Sequence, residues 1–142
     1  MIEQYDIVVK TNHETEYVLI TEEAEKAVKN SGIQKGLVFI VTNHTTTGIT
    51  VNEGLECLED DFSTFFSKLV PNDGSLNHAR FLESYGAMAN NGPSHIKALL
   101  TGNHTCFNVS NGVLKRRFAQ EIYFCEYDGP QDRTITITVI GE

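Results

Sequence analysis

Apolar residues recur along this chain with two different periods, and the periods divide it into elements. Near the end Ile135, Ile137 and Val139 alternate with threonines, which predicts a strand over 133–140 with one buried and one polar face. Residues 121–127 form the strand before it, and Asp128-Gly129-Pro130 is the turn between them. The stretch Leu37 to Val41 is almost continuously apolar, so the strand over 36–42 is expected to be buried. A further strand follows at 48–52. Residues 3–10 and 14–20 give two more strands around the turn Thr11-Asn12-His13, which makes His13 an exposed turn residue. From 103 onward the chain reads as sheet, with Asn111-Gly112 marking a hairpin.

The helical period appears in between. Leu55, Leu58, Phe62, Phe65, Phe66 and Leu69 fall three and four apart and predict a helix over 55–69 with one apolar face, closed by Pro71. Its acids, Glu56, Glu59, Asp60 and Asp61, read better as a solvated face near a helix start than as a metal cluster. Thr21 followed by Glu22 and Glu23 opens an earlier helix, which ends at Asn30-Ser31-Gly32. Residues 71–93 show little periodicity and read as a long loop carrying His78 and Arg80. Pro93 and Ser94 open a short helix over 95–101, with Ser94 as cap and His95 in the first turn. The order β2-α-β2-α2-β4 defines an α+β fold with a largely antiparallel sheet in a single domain, 1–142.

Charge and composition narrow the function. The 142 residues carry a formal net charge of −8, which disfavours broad binding to nucleic acid or an anionic membrane. No apolar run approaches the roughly 20 residues of a membrane span. The start of the chain has neither a basic segment nor a hydrophobic signal core. Three cysteines at long spacings, Cys57, Cys106 and Cys125, argue against a disulfide framework and a cysteine-based zinc site, so the reducing cytoplasm is the expected compartment.

The chemistry concentrates in residues 43–54, NHTTTGITVNEG. A histidine in a loop after a buried strand can donate, accept, carry a proton or bind a metal. Glu53 ends the following strand, placed to orient His44 or share its ligand. The alternative is a threonine-rich turn capped by its histidine. No nucleophile elbow, P-loop or dinucleotide fingerprint is present. Three histidines remain at irregular or element-end positions: His44, His78 and His95. Three imidazoles with an open fourth position describe a catalytic zinc site, although no two of these lie on one helical turn. His95, in a first helical turn, is expected to be neutral and available to a metal or an anion.

Taken together, HTTTGITVNEG, VPNDG with a histidine soon after, PSHIKALLTG, the Asn-Gly turn, Q-E-IYFCEYDGP and the closing TVIGE resemble the YjbQ-like proteins, in the same order over residues 36–142. The resemblance implies a YjbQ-like fold, a largely antiparallel β-sheet or sandwich with two to three helices. It implies a homotrimer with pockets where subunits meet. It also implies that His44, His78 and His95 are site histidines and metal ligands, with Glu53 beside them. Lys97, Gln120 and Glu126 match positions of the family's motifs.

The implied activity is that of a secondary thiamine-phosphate synthase, joining a hydroxymethylpyrimidine diphosphate to a thiazole phosphate with release of pyrophosphate. Ser94, Lys97 and Arg117 would then meet the phosphorylated ligand, with a divalent metal, zinc or magnesium, as cofactor. A metal- or metabolite-binding trimer without turnover and a metal-dependent hydrolase are the alternatives. The chain departs from the family where Gly-Thr-Trp usually precedes Gln120: here stand Arg117, Phe118 and Ala119. His104 matches nothing in the family and is read as structural.

Overall fold

The computed structural model describes residues 1–80 and 91–142. Among the described residues, eight strands form two antiparallel sheets. The larger has the order β1 (Ile2–Lys10), β8 (Asp132–Gly141), β3 (Lys35–Thr42), β5 (His104–Ser110), β6 (Val113–Lys115). The smaller has β7 (Glu121–Glu126) between β2 (Glu16–Leu19) and β4 (Thr47–Asn52). The helices are α1 (Thr21–Ser31), α2 (Glu56–Leu69), α3 (Asn77–Arg80) and α4 (Gly92–Thr101). The fold is therefore the α+β class with antiparallel sheets that the periods predict.

Alternation decides where the core lies. Ile135, Ile137 and Val139 of β8 are fully buried and meet Val38 and Ile40 of β3 and Ile122 and Phe124 of β7 in one cluster. Ala24, Ala27 and Val28 of α1 complete it. The other face of β7 is buried too: Tyr123 and Cys125, with Tyr127 just beyond, pack with Ala98 of α4. A strand covered on both faces has no polar face to show, and that is why 121–127 reads as a nearly continuous apolar run. The β5–β6 hairpin turns at Asn111 and Gly112, whose φ values of 53° and 70° suit the residues with least steric cost there.

Two local expectations change. The 71–93 stretch is not wholly irregular: α3 forms at Asn77–Arg80 and α4 begins at Gly92, while 81–90 lie outside the described residues. Ser94 is not the cap of α4. Asn91 precedes its first turn, and the Ser94 hydroxyl donates to the Tyr127 carbonyl at 2.6 Å. The expected apolar face of α2 forms, but no residue of α2 is fully buried. Leu58, Phe62 and Phe66 are half-buried; the Phe62 ring meets Tyr17 and Tyr123 and the Phe66 ring meets Tyr127, with Phe62 and Tyr17 ring centroids 5.4 Å apart. Phe65 and Leu69, on the same helix, are 60% and 52% exposed. No described helix is long and apolar enough to cross a membrane.

Candidate functional site

His44, His78 and His95 line one pocket of about 380 Å³, together with Asn43, Thr45, Thr46, Asn91, Asp128, Gln131 and Arg133. Three segments supply the histidines: the loop from β3 to β4, α3, and the first turns of α4. The loop is pinned at its base, where the hydroxyls of Thr42 and Thr47 are 2.6 Å apart. Gly92 allows α3 to approach α4, since a Cβ there would stand 3.2 Å from the Cβ of His78. The rings of His78 and His95 lie with centroids 5.0 Å apart.

The ladder between β3 and β8 ends in an unusual way. The Asn43 amide donates to the Thr134 carbonyl, and the Thr134 amide donates at 2.8 Å to Nε2 of His44 rather than to a carbonyl. A ring nitrogen that accepts from an amide carries no proton, so neutral His44 holds its proton on Nδ1 and presents a donor. Burial holds His44 below the ordinary imidazole range; the nearby Arg133 guanidinium adds to this, and Glu126 opposes it.

His95 is set the opposite way. Its Nδ1 lies 3.2 Å from the Thr45 carbonyl. A carbonyl only accepts, so Nδ1 is the donor, and in the neutral ring Nε2 keeps its lone pair. One histidine thus offers a donor and the other an acceptor. The pairing suits proton transfer or the gripping of a group that both gives and takes a hydrogen bond.

Behind them lies a buried ion pair, Arg133 with Glu126. Arg133 donates to Glu126 twice, Nε to Oε2 and Nη2 to Oε1, each at 2.7 Å. Glu126 also accepts from the Thr11 hydroxyl and the Asp128 amide, and it is wholly buried. Arg133 Nη2 reaches on to the Thr46 hydroxyl at 2.9 Å and the Asp128 carbonyl at 3.4 Å. The pair therefore ties together the two loops that form the pocket wall. Both residues continue the inward registers of their strands, Glu126 after Ile122 and Phe124, and Arg133 before Ile135. Asn91 donates to Asp128 Oδ2 at 2.8 Å, and its own Oδ1 is buried without a hydrogen-bond partner among the described residues.

The other expected site residues lie elsewhere in the chain. Glu53 is exposed just beyond the far end of β4, which at about 3.3 Å per residue sets it roughly 20 Å from the His44 loop, so it does not orient His44. Arg117 and Gln120 line a separate hollow with Lys115 and Arg116. Gln120 there accepts the Arg117 amide, and Arg116 pairs with Glu25 and Glu121. Lys97 is half-buried on α4 and does not line the histidine pocket. Ser94 is committed to Tyr127, and Glu126 acts through Arg133 rather than at the pocket surface. His104 opens β5, exposed and bonded through Nδ1 to Asn103. Asn91, Asp128, Gln131 and Arg133 are pocket residues that the motifs did not mark as site residues. A charged residue at 133, in register with Ile135, Ile137 and Val139, was the available signal.

The site puts the chain in the class of small α+β proteins with a polar, histidine-lined pocket at the strand ends of two stacked sheets. The chain matches the family described as UPF0047 protein YjbQ-like over residues 5–142, and it belongs to that family. It is 33% identical over 135 residues to a UPF0047 protein of Archaeoglobus fulgidus, covering 95% of this chain and 99% of that one. It is 34% identical over 134 residues to the UPF0047 protein YugU of Bacillus subtilis, covering 94% and 96%. A YbjQ-like protein of unknown function from Sulfolobus solfataricus superposes with a TM-score of 0.92 at 31% identity, covering 100% and 99%. A hypothetical protein from Aeropyrum pernix superposes with a TM-score of 0.86 at 28% identity, covering 99% of each.

Proposed function

We propose that the protein is a transferase that binds a phosphorylated small molecule in the histidine pocket. The reaction is the one implied by its resemblance to YjbQ-like proteins: joining a hydroxymethylpyrimidine diphosphate to a thiazole phosphate. In that reaction the thiazole nitrogen lone pair bonds to the methylene carbon as the bond to the diphosphate oxygen breaks, and pyrophosphate leaves with the electron pair. The chemistry needs donors where charge develops on the leaving oxygen. The observation that carries this reading is the opposed setting of the two histidines, His44 with a donor and His95 with an acceptor. The His44 N–H and the Arg133 guanidinium face the leaving group. The His95 lone pair receives an N–H of the substrate, such as an exocyclic amine.

A divalent ion fits this reading in one place. Asp128 is the one carboxylate among the described residues lining the pocket, and a magnesium ion accompanying a diphosphate would be met there. The ion would neutralise charge on the diphosphate. A zinc ion on all three histidines requires His44 to release the Thr134 amide first. Among the described residues no three His, Cys, Asp or Glu side chains are grouped as metal ligands.

A homotrimer is part of the same proposal. Its support is apolar surface that a lone chain leaves in water: Phe118 is 92% exposed and Phe65 is 60% exposed. A cytoplasmic location agrees with three unpaired cysteines. The test is an assay for thiamine phosphate with purified protein, His44→Ala and His95→Ala beside the wild type. Product that is lost in both variants supports the reading. Equal product from all three removes it and leaves a binding protein without turnover.

A further inference from the structure

The histidine pair stands between two hollows. The polar pocket is one of them. The second, of about 310 Å³, is lined by His44, Thr45, Thr47, His95, Ala98, Leu99 and Asn103. His44, Thr45 and His95 thus belong to both.

The two hollows differ in chemistry. Arg133, Asp128, His78 and the amides of Asn91 and Gln131 make the first polar and charged. Among the described residues, the second has no Asp, Glu, Lys or Arg in its lining. Beyond the shared His44, Thr45 and His95, its polar side chains are Thr47 and Asn103. The Thr47 hydroxyl meets Thr42 and the His44 carbonyl. The Asn103 carbonyl oxygen atom Oδ1 is bonded to His104 Nδ1, which leaves the Asn103 side-chain NH₂ as a donor. Ala98 and Leu99 form an apolar wall, and Leu99 is 75% exposed at the mouth, surface that a bound ring would cover.

We infer that the second hollow is a binding lobe for an uncharged, ring-sized group with one hydrogen-bond acceptor, and that the histidine pair lies where this group meets an oxyanion-bearing group held in the polar pocket. The inference rests on the proposed transferase reading for the oxyanion side only. The second lobe has its own geometry and its own test. A site split in this way handles two bodies of unlike polarity and holds their junction against His44 and His95. Orientation of two such bodies is a large part of what a joining reaction requires.

The test uses two probes, inorganic pyrophosphate and a neutral methylthiazole alcohol, titrated separately and together into the isotope-labelled full chain. The ring probe is expected to shift the Leu99 and Ala98 methyl signals and the Asn103 amide, and pyrophosphate the Arg133 and Asn91 side-chain signals. Both are expected to shift His44 and His95, and neither to displace the other. Leu99→Asn removes an exposed apolar contact without touching the core, and is expected to weaken the ring probe roughly tenfold while leaving pyrophosphate unaffected. Asn103→Leu removes the donor and is expected to act in the same direction. Competition between the probes overturns the inference, and so does a ring probe that shifts no residue of the second lobe. Loss of pyrophosphate binding alone, with the ring probe still on Leu99, overturns the transferase reading and leaves the lobe standing.

Discussion

Arg133 and Glu126 face each other across the end of the core, guanidinium to carboxylate, with two hydrogen bonds of 2.7 Å. Neither is more than 5% exposed at its side chain. The pair acts on His44 with opposite signs, Arg133 lowering its proton affinity and Glu126 raising it. Arg133→Met is therefore expected to raise the His44 pKa, and Glu126→Gln to lower it further. A residue that merely propped the loop would give shifts of one sign or none. Proton NMR titration of the His44 ring in the two variants reads this directly.

The same pair governs stability. Removing one partner leaves the other charge buried, at a cost of about 3–5 kcal/mol. Arg133→Met also frees the Thr46 hydroxyl and so loosens the His44 loop. Urea unfolding is expected to show the loss for Arg133→Met. A loss below about 1 kcal/mol, as for an exposed pair, would mean that the pair is hydrated.

Acid should weaken the fold through His44. Its proton affinity is lower in the folded chain than in the unfolded one, so the unfolded chain takes up its proton first as pH falls. The contribution is complete above the ordinary histidine value of about 6.5 and is lost as pH falls towards the folded value. Comparing wild type with His44→Gln between pH 8 and pH 5 isolates this part. A wild-type curve parallel to that of the variant would contradict it.

Ser94 separates a structural role from a ligand role. Its hydroxyl satisfies the Tyr127 carbonyl at 2.6 Å inside the protein. Ser94→Ala is expected to cost about 1–3 kcal/mol of stability, since a buried acceptor loses its partner. Pyrophosphate affinity, by calorimetry, is expected to stay within a factor of two or so. A large affinity loss with unchanged stability would return Ser94 to the ligand.

Much of the fold was legible because alternation reports burial. The strands carrying Ile135, Ile137 and Val139, and Val38 and Ile40, were readable from that pattern alone, and the Asn111-Gly112 turn from its residue types. The histidine set was legible too, in that His44, His78 and His95 line one pocket. The rest depended on contacts distant in sequence. Ser94 follows a proline and reads as a cap, yet its partner is the carbonyl of Tyr127, a residue that only the packing of α4 on β7 brings near. Glu53 follows His44 by one short strand, but an extended strand carries the two apart rather than together. The Arg133–Glu126 pair was hidden because β7 and β8 belong to different sheets, so no register relates the two residues.

The opposed roles of His44 and His95 are the centre of the account, and nitrogen-resolved NMR of the imidazoles tests them most directly. At a pH where both rings are neutral, each should carry its proton on Nδ1. The His44 Nε2 should show the amide bond from Thr134. The His95 Nε2 should be unprotonated and should be the nitrogen whose shift moves when a ligand binds. A proton on Nε2 of either ring contradicts the account: on His44 it would remove the acceptor for Thr134, and on His95 it would leave no lone pair for the substrate.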